Sequence, residues 1–528
     1  MRKLFFLTTV LALLAFVVIP AFAQGGNTIV DIAASNPDFS TLVAAVQAAD
    51  LAETLAGDGP FTVFAPTNAA FAALPLGTVD NLLADIPTLT ALLQYHVLSG
   101  SVLDTGFVFS PERATLEGSP ITITEADGGY VINDSVKIVT SNIVASNGVI
   151  HVIDAVLVPS GGDLAAKIAA ASQVKLRVAH FSPDTPAVDV YVNGEAAIRG
   201  LEFPVATGWI TLPGGVYNVA VAPAGTSIKQ AAIGPADLEL AGGQWLTIAA
   251  VGSLANGTLK PQILVEDYSP IPAGNARVSV FHAIEGVEPV DVLAGGTPVV
   301  RTLAYPGTRG NNDGLDTLTV PANVYDFQVV PFQRSAPVLL DLPNTLLVPG
   351  VHYFVAAVGT PDDPQVKVLA TDPATGKNPE TPTIGTLVPG LADLSTLNAL
   401  GSSGGAFFGG GVTMLNQVGP FTLFAPTNDA FVKLRSAIGL GAFNAIADNP
   451  NSAGTRYILL YHIVPGKLMA ADVAAATSLS SASGEEITVT VRDGRVFLNG
   501  TIEVTVTDIE AANGVIHLID GVLVPPTE

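Results

Sequence analysis

An internal duplication restricts how this chain folds, because both copies of a duplicated segment must bury the same apolar pattern. Residues 59–74 read GPFTVFAPTNAAFAAL and residues 419–434 read GPFTLFAPTNDAFVKL, which agree at 12 of 16 positions. Residues 147–159 (NGVIHVIDAVLVP) and 513–525 (NGVIHLIDGVLVP) agree at 11 of 13. Self-similarity of this kind indicates repeated structural units. We therefore expect two copies of one domain, one toward each end of the chain.

A Tyr-His pair lies between the two motifs in each copy. From the tyrosine, Tyr95 or Tyr461, to the asparagine that opens the second motif, the spacing is 52 residues in both copies. From the Gly-Pro of the first motif to the same tyrosine it is 36 residues in one copy and 42 in the other. The six additional residues therefore fall in one interval, which indicates a loop insertion near residues 439–454.

The middle of the chain contains a second, fainter duplication. His180 is followed nine residues later by Asp189 in a Val-Asp-Val sequence, and His282 is followed by Asp291 in the same way. Apolar and polar residues alternate in such stretches, which predicts strands with one buried face. We predict two β-sandwich repeats, residues 174–265 and 276–370.

The terminal copies mix helical and strand patterns. Apolar residues at helical spacing predict a helix over residues 39–46 and another over 81–94, whereas Phe61–Phe64 indicates a buried strand. From residue 121 onward, short apolar strands alternate with Gly- and Asn-containing turns, so each copy is predicted to be α+β. Residues 160–172 are interpreted as a Gly/Ala/Ser link with one short helical turn, and residues 371–383 as a Pro-rich extended linker.

Composition and the first residues limit the classes of function. The chain has no Cys, which removes thiol nucleophiles and thiolate metal sites. Its net charge of −24 disfavours nucleic acid and anionic membrane surfaces. A basic start, an apolar run and small residues at Ala21 and Ala23 predict a signal peptide over residues 1–23. No later segment resembles a membrane span, so the mature chain is expected to be secreted or cell-surface associated.

The three motifs at the ends together are similar to the fasciclin domain. The sequence FTVFAPTNAAF, the Tyr-His pair and NGVIHVIDAVLVP occur in that order twice, over residues 27–159 and 384–525. The segment HFSPDTPAVDVYVNG at residues 180–194 resembles a bacterial family of extracellular β-sandwich domains of uncharacterised function. The expected architecture is multidomain, with two α+β fasciclin-like domains flanking two all-β sandwich repeats.

The fasciclin resemblance implies an adhesion or extracellular-matrix protein without catalysis, whose partner is a cell-surface or matrix protein or polysaccharide. In animal members the Tyr-His region is linked to integrin binding, so the implied partner-binding residues are Tyr95, His96, Tyr461 and His462. The remaining signature residues are expected to be structural. They are Phe64, Pro66, Thr67, Asn68, Asn147, His151 and Asp154 in the first copy, and Phe424, Pro426, Thr427, Asn428, Asn513, His517 and Asp520 in the second.

No pattern in the sequence predicts a catalytic, metal or cofactor site. Six of the seven His residues fall into repeat pairs, as scaffold residues do, whereas an active site is commonly single. His151 and Asp154 are three apart in a predicted strand, so their side chains point to opposite faces. Residues 401–405 match G-x-S-x-G without the strand and helix that this motif needs. Residues 311–316 resemble a calcium loop without its closing Glu.

Two other functions remain open at this point. An Ala/Val/Leu-rich seam between helices and sheet is suited to an apolar small molecule, such as a pigment or a lipid. The middle sandwiches are suited to carbohydrate binding if Trp209, Tyr217 or Tyr325 is exposed, and the competing interpretation for these aromatic residues is packing in the core.

Overall fold

A computed structural model of the chain describes residues 26–109, 111–126, 128–308, 313–402, 414–416, 419–449 and 452–526. The expected signal peptide lies outside these residues, as do parts of the G-x-S-x-G match and of the calcium-loop match. The chain divides into two compact units. The first contains the chain up to Val174 together with Thr211–Val216 and Glu239–Gln244, and the second contains the remainder.

The first terminal domain places helices on a seven-stranded sheet. The helices are α1 (Ile29–Ser35), α2 (Ser40–Ala48), α3 (Ala52–Ala56), α4 (Asn68–Ala72), α5 (Thr78–Ala84), α6 (Ile86–Tyr95) and α7 (Gly162–Ser172), with 3₁₀ turns at Pro37–Phe39 and Asp104–Phe109. The strands are β1 (Phe61–Pro66), β2 (Val97–Ser99), β3 (Glu112–Ala114), β4 (Pro120–Ala126), β5 (Gly129–Ile132), β6 (Val136–Ala145) and β7 (Gly148–Ile153). The strand order is β2-β1-β7-β6-β5-β4-β3, and β1 and β7 are parallel.

The helix expected over residues 81–94 is two helices, α5 and α6, separated at Asp85. The Asp85 side chain accepts a hydrogen bond from the Thr88 backbone N–H, and Pro87 lies in the first turn of α6. An N-cap carboxylate followed by proline is a strong start signal for a new helix. The apolar stripe continues across this break, which explains why the sequence pattern resembles one helix.

The segment interpreted as a link before the middle repeats contains the 11-residue helix α7, so that interpretation was wrong. Leu164 and Ile168, four residues apart, lie on one helix face and are buried in the core of the first domain. The helix packs on α5 and α6. Its five Ala residues hide the amphipathic pattern, because only two large apolar side chains define it.

Each middle repeat consists of two four-stranded sheets. The first repeat contains β8 (Gln173–His180), β9 (Val188–Val192), β10 (Glu195–Leu201), β11 (Ile210–Pro213), β12 (Gly215–Pro223), β13 (Ile233–Leu240), β14 (Trp245–Val251) and β15 (Lys260–Glu266), with a 3₁₀ turn at Ile228–Gln230. The second contains β16 (Asn275–His282), β17 (Val290–Ala294), β18 (Thr297–Leu303), β19 (Leu315–Pro321), β20 (Val324–Pro331), β21 (Leu340–Leu346), β22 (His352–Gly359) and β23 (Pro364–Thr371). The four sheets are β10-β9-β12-β13, β11-β8-β14-β15, β19-β16-β22-β23 and β18-β17-β20-β21.

The two repeats pack on each other through the outer faces of one sheet each. Phe181 and Leu264 of the first repeat form one buried cluster with Phe281 and Phe354 of the second. Alternate residues, such as Val278, face the second repeat's own core. Strands β16 and β22 are therefore buried on both faces, so the two repeats share a core and do not behave as separate modules joined by a short linker.

The second terminal domain repeats the architecture of the first. Its helices are α8 (Ile384–Leu387), α9 (Ser395–Ser402), α10 (Asn428–Ile438), α11 (Leu440–Ala447), α12 (Ala453–Tyr461) and α13 (Ala470–Ala475), with 3₁₀ turns at Val388–Gly390, Ala392–Leu394 and Met414–Asn416. Its strands are β24 (Phe421–Pro426), β25 (Ile463–Pro465), β26 (Ser478–Ser480), β27 (Glu486–Arg492), β28 (Arg495–Leu498), β29 (Ile502–Ala511) and β30 (Gly514–Ile519). The order β25-β24-β30-β29-β28-β27-β26 is that of the first domain.

The structure confirms the fold class expected from the sequence, with α+β domains at both ends and all-β repeats between them. The first residues of the Pro-rich linker form a turn, although an extended linker was expected. Asp372 and Lys377 close a turn, in which the Asp372 N–H donates to the Lys377 carbonyl at 2.8 Å. Among the helices of the described residues, none is both long and apolar enough to span a membrane.

Candidate functional site

The Tyr-His pair of the first domain lies in the interior, at the end of α6. Tyr95 is 2 % exposed and His96 3 %. The Leu157 N–H donates to His96 Nε2 at 2.9 Å, and His96 Nδ1 lies 2.8 Å from the Leu92 carbonyl oxygen. Since Nε2 accepts a hydrogen bond, the imidazole is neutral and carries its proton on Nδ1. Burial lowers the pKa of His96 to about 4.

The second domain repeats this arrangement. The Leu523 N–H donates to His462 Nε2 at 2.9 Å, and His462 Nδ1 lies 2.8 Å from the Ile458 carbonyl oxygen. The Tyr461 hydroxyl donates to the Glu486 carbonyl at 2.9 Å and accepts from Asn499. The Tyr95 hydroxyl has the corresponding partners, the Pro120 carbonyl at 3.2 Å and the Asn133 amide at 3.0 Å. In both domains the pair ties the helical layer to the strands.

These contacts bear on the partner-binding role that the resemblance implied for the Tyr-His pairs. All four side chains are buried, and the ring nitrogens and hydroxyls make hydrogen bonds inside their own domain. A partner at the surface of the folded domain would not touch them. Partner binding by these side chains therefore stays a prediction, and their burial argues against it.

The Thr-Asn of the first signature joins the first strand to the helices. Thr67 caps α4 by accepting a hydrogen bond from the Ala70 N–H, and Thr427 caps α10 in the same way. Asn68 accepts from the Thr41 N–H at 2.9 Å and donates to the Pro37 carbonyl at 2.9 Å. Asn428 makes the equivalent bonds with the Thr396 N–H at 3.0 Å and the Ala392 carbonyl at 2.9 Å. These bonds hold α2 against the end of β1 and α9 against the end of β24.

The asparagine of the second signature connects three segments. The Asn147 side chain accepts from the Ile29 N–H at 2.9 Å and donates to the carbonyls of Leu55 and Gly57 at 2.8 Å each. Asn513 accepts from the Ile384 N–H at 2.8 Å and donates to the Leu415 carbonyl at 2.7 Å. Both side chains are buried. Each asparagine thus anchors the entry helix of its domain to the turn before the last strand.

The last strand carries the remaining signature residues. His151 Nε2 lies 2.8 Å from the Val102 carbonyl, and its ring stacks on Phe64 at 5.6 Å between centroids. The Asp154 carboxylate accepts from the Lys137 N–H at 2.8 Å. Pro66 ends β1, opposite Ile153 of β7.

The second copy has the same arrangement around its last strand. His517 Nε2 lies 2.8 Å from the Leu468 carbonyl, and its ring stacks on Phe424 at 5.6 Å. Asp520 accepts from the Glu503 N–H, and Pro426 ends β24. The polar groups of these residues form hydrogen bonds within their own domain, so they stabilise the fold of that domain.

Buried histidines make the stability of the chain depend on pH. Burial lowers the pKa of His282 and His462 to about 4, and burial with the nearby Arg177 and Arg277 lowers that of His352 to about 3, against an ordinary value of 6.5. Below pH 6.5 the unfolded chain takes up protons that the folded chain does not, so each such group removes up to about 1.4 kcal/mol of stability per pH unit.

We therefore expect the thermal unfolding midpoint to fall between pH 7 and pH 4.5, with most of the loss below pH 6.5. Carboxylates with lowered pKa values lose their contribution mainly at lower pH, whereas Glu266, whose pKa is raised, opposes the histidines in this window. The check is differential scanning calorimetry across the pH series. A midpoint that stays constant from pH 7 to pH 4.5 would show that these rings accept protons in the folded state.

A buried polar cluster lies between the middle repeats and was not predicted from the sequence. Arg177 and Glu266 form an ion pair at 2.8 Å with side chains 3 % and 0 % exposed, and Thr247 bonds to both. The guanidinium lies 4.5 Å from the Trp209 ring and 4.6 Å from the Phe354 ring. Burial raises the pKa of the Glu266 carboxyl, while Arg177 opposes this shift.

A serine and a histidine from the second repeat adjoin this ion pair. Ser279 Oγ lies 2.8 Å from His352 Nε2, and His352 Nε2 lies 3.9 Å from Glu266. Within the described residues the His352 Nδ1 atom has no hydrogen-bond partner, so no acid orients this ring as a nucleophile's base requires. Ser279, His352 and Glu266 are all closed to solvent. The geometry fits an interface between two sheets.

One signal in the sequence marks this cluster. Of the chain's seven histidines, His352 is the one that has no counterpart in a repeat. Arg177 gives no such signal, because it alternates with Leu176 and Val178 as the charged Lys175 does. A charged residue on the outer face of a strand is ordinarily solvated, so its burial could not be inferred before the packing of the repeats was known.

The described residues contain no group of three His, Cys, Asp or Glu side chains able to hold a metal ion. Three of the pockets among the described residues are lined mainly by apolar side chains. One of about 170 Å³ lies among the helices of the second terminal domain, one of about 80 Å³ lies in the helix–sheet seam of the first, and one of about 130 Å³ lies between the sheets of the second middle repeat.

The matches to known proteins fall on the same domains that the structure shows. The fasciclin domain matches residues 37–159 and 408–525, and a domain of unknown function (DUF4397) matches residues 174–286. Protein sll1483 of Synechocystis sp. is 50 % identical over 145 residues, which are 27 % of this chain and 79 % of that protein. Immunogenic protein MPB70 of Mycobacterium bovis is 35 % identical over 147 residues, 26 % of this chain and 74 % of the relative.

A longer relative matches nearly the whole chain. Transforming growth factor-beta-induced protein ig-h3 of Sus scrofa is 28 % identical over 502 residues, 95 % of this chain and 58 % of that protein. This chain therefore spans a little over half of that relative. Fold, motifs and matches together define a protein with an α+β fasciclin domain toward each end and a DUF4397 region between them. The chain belongs to the fasciclin family.

Proposed function

We propose that this chain is a secreted or cell-surface adhesion or extracellular-matrix protein that binds through its two terminal fasciclin domains and catalyses no reaction. The observation that carries the proposal is the repetition of one interior hydrogen-bond network in both domains, from Asn68 and Asn428 to the two Tyr-His pairs. The polar side chains that recur in both domains make their hydrogen bonds in the interior of the domain. The outer surfaces are therefore left for binding.

The outer surfaces of the two fasciclin domains differ. On β6 of the first domain, Val139 is 56 % exposed and Val144 is 64 % exposed. The corresponding positions on β29 of the second domain are Thr505 and Glu510. An exposed apolar pair on one copy and polar residues on the other support two ends that bind different surfaces. A chain with two different binding domains is suited to bridging two surfaces. Two weak contacts made at the same time then give a higher overall affinity than either contact alone.

Charge and the first residues indicate the kind of partner. The net charge of −24 disfavours nucleic acid, and the expected signal peptide directs the chain to the outside of a bacterial cell. A cell-surface or matrix protein or a polysaccharide fits these conditions.

The alternatives considered from the sequence are less well supported by the structure. A pigment or lipid needs a pocket of roughly 300–1,000 Å³, whereas the largest of the three apolar cavities is about 170 Å³. For carbohydrate binding, a free aromatic face is needed. Trp209 packs edge-on against Trp245 at 4.9 Å and donates to Thr371, and Tyr325 stacks on Phe327 at 5.3 Å.

The experiment measures binding of the whole mature chain to immobilised cell envelope and to matrix polysaccharide, with and without Ca²⁺, on a quartz crystal microbalance. We expect saturable binding to at least one surface, and no change in the mass spectrum of the bound material over hours. The variant Val139→Thr with Val144→Glu places the residues of the second domain at these two positions of the first, and we expect it to stop binding to one of the surfaces. Absence of binding to every surface, or turnover of the bound material, would contradict the proposal.

A further inference from the structure

Two loops of each middle repeat are in contact with a fasciclin domain. They join β11 to β12 and β13 to β14 in the first repeat, and β19 to β20 and β21 to β22 in the second. The duplication pairs Gly214 with Ala322, in the sequences Pro-Gly-Gly-Val-Tyr and Pro-Ala-Asn-Val-Tyr. It also pairs Gly242 with Pro349, because each lies seven residues before an Ala-Ala-Val-Gly sequence. The two loops of one repeat are therefore equivalent to the two loops of the other.

Within the first compact unit, these loops bond to the first fasciclin domain through the backbone. The Leu76 N–H donates to the Gly214 carbonyl at 3.2 Å, and the Gly242 N–H donates to the Leu76 carbonyl at 2.7 Å. The Asn81 side chain joins the two partners, since it donates to the carbonyls of Ala171 in α7 and of Gly242 at 2.9 and 2.7 Å. A Cβ atom at Gly242 would lie 2.4 Å from the Ala171 carbonyl oxygen, so a side chain here would collide with the end of α7.

The equivalent loops of the second repeat bond to the second fasciclin domain. The Ala392 N–H, at the start of a 3₁₀ turn, donates to the Ala322 carbonyl at 2.9 Å. Ala322 is completely buried, and Val348 of the other loop packs against the apolar core of the fasciclin domain. Pro349 lies against Gly390, where a Cβ atom would be 2.2 Å from the proline ring. The second pair of loops is therefore also covered by a fasciclin domain.

The two contacts share a loop position, whereas the fasciclin residues that they meet are different. The carbonyls of Gly214 and Ala322 occupy the same place in the repeat, and each accepts an N–H from a fasciclin domain. The donors are not equivalent, because Leu76 lies between α4 and α5 and Ala392 lies before α9. The first N–H groups of a helical turn have no partner within that turn, which makes a carbonyl from another segment a suitable acceptor. The recurring part of the contact is thus supplied by the repeat.

We propose that these two loops are a docking surface for fasciclin domains, and that each middle repeat holds one fasciclin domain of the same chain. The recognition chemistry is a backbone carbonyl acceptor together with a close approach of two backbones at a glycine. This gives a role to the region that matches the domain of unknown function. The inference does not depend on the adhesion role, since it concerns contacts within the chain.

Hydrogen–deuterium exchange of the whole mature chain measures the two contacts separately, at the Leu76 and Ala392 amides. The variant Gly242→Val places a side chain against the end of α7, so we expect at least tenfold faster exchange at Leu76. The Ile29 amide, inside the same fasciclin domain, should keep its protection. Gly208→Val is the matched control, because a Cβ atom there would meet no atom within 4 Å, and it should change none of these amides.

The second contact allows a test by compensation. Gly390→Ala puts a methyl group into the Pro349 ring, so we expect at least tenfold faster exchange at the Ala392 amide. Adding Pro349→Ala removes the ring atom nearest to that methyl group and should restore the protection. The Ile384 amide, which bonds to Asn513 inside the domain, should be unchanged in both variants.

The proposal is overturned if Gly242→Val or Gly390→Ala leaves its amide protected, because the loop position would then not serve both fasciclin domains. It is also overturned if the Ile29 or Ile384 amide loses protection to the same extent, since the glycine would then be needed for the fold of the domain. Binding to an envelope or matrix surface is not measured in this experiment. Failure of this proposal is therefore distinguishable from failure of the adhesion role.

Discussion

Replacing Arg177 with methionine is expected to destabilise the middle repeats by about 3–5 kcal/mol, because the Glu266 carboxylate would be left buried without its partner. Both residues are almost completely buried, and Arg177 also lies over the rings of Trp209 and Phe354. Trp209 and Trp245 are the chain's two tryptophans, and both lie at this cluster. Tryptophan fluorescence during urea unfolding therefore reports directly on the repeats.

Two further variants make this prediction specific. The double variant Arg177→Met with Glu266→Leu removes both charges, and we expect it to be more stable than either single variant, because no charge is then left unpaired. Arg199→Met is the surface control, since the Arg199 side chain is 72 % exposed in its pair with Asp189. An Arg177→Met transition at the same urea concentration as that of the unaltered chain would show that the ion pair is not buried between the repeats.

Replacing Asn147 with leucine is expected to cost the first fasciclin domain roughly 3–6 kcal/mol. The change leaves the Ile29 N–H and the carbonyls of Leu55 and Gly57 without their partner. Each buried group left unsatisfied costs about 1–3 kcal/mol. Hydrogen–deuterium exchange is the suitable measurement, since the Ile29 amide should lose its protection before the rest of the domain.

The duplicated chain supplies the control for the asparagine. Asn513→Leu removes the equivalent bonds to Ile384 and Leu415, so it should deprotect the Ile384 amide and leave Ile29 unchanged. Asn256→Leu, at an exposed residue, should change neither amide. Equal loss of protection in both domains after Asn147→Leu would mean that the effect is not local.

The parts of the fold that could be predicted from the sequence are those in which a short segment shows a recognisable residue pattern by itself. The strand Phe61–Pro66, the cap at Thr67 and the repeated NGVIH motif recur at matching spacing, and this fixed the α+β domains and their number. Alternation after His180 and His282 indicated the sandwiches. The helix α7 was missed because an Ala-rich amphipathic helix has few large apolar residues, and Leu164 and Ile168 alone do not distinguish it from a link.

The site could be predicted only in part, for a physical reason. Tyr95-His96 and Tyr461-His462 were found by their repetition, but repetition does not distinguish a surface from an interior. An aromatic residue beside a histidine at the end of a helix fits both positions, and only the packing of the last strand shows that the pair is covered. The packing of the two repeats was hidden because polar Arg277 and Ser279 alternate with apolar residues along β16, as in a strand with one solvated face, although the strand is buried on both faces.

We propose that the two Tyr-His pairs hold the fasciclin domains together from inside and that binding takes place on the outer surfaces. The most direct test compares binding of the unaltered chain and of the double variant Tyr95→Phe with Tyr461→Phe to the same envelope or matrix surface. Phenylalanine keeps both rings in the interior and removes only the hydroxyls that bond to Asn133 and Asn499. We expect a lower unfolding midpoint and unchanged affinity for the surface. Loss of affinity at an unchanged midpoint would contradict the proposal.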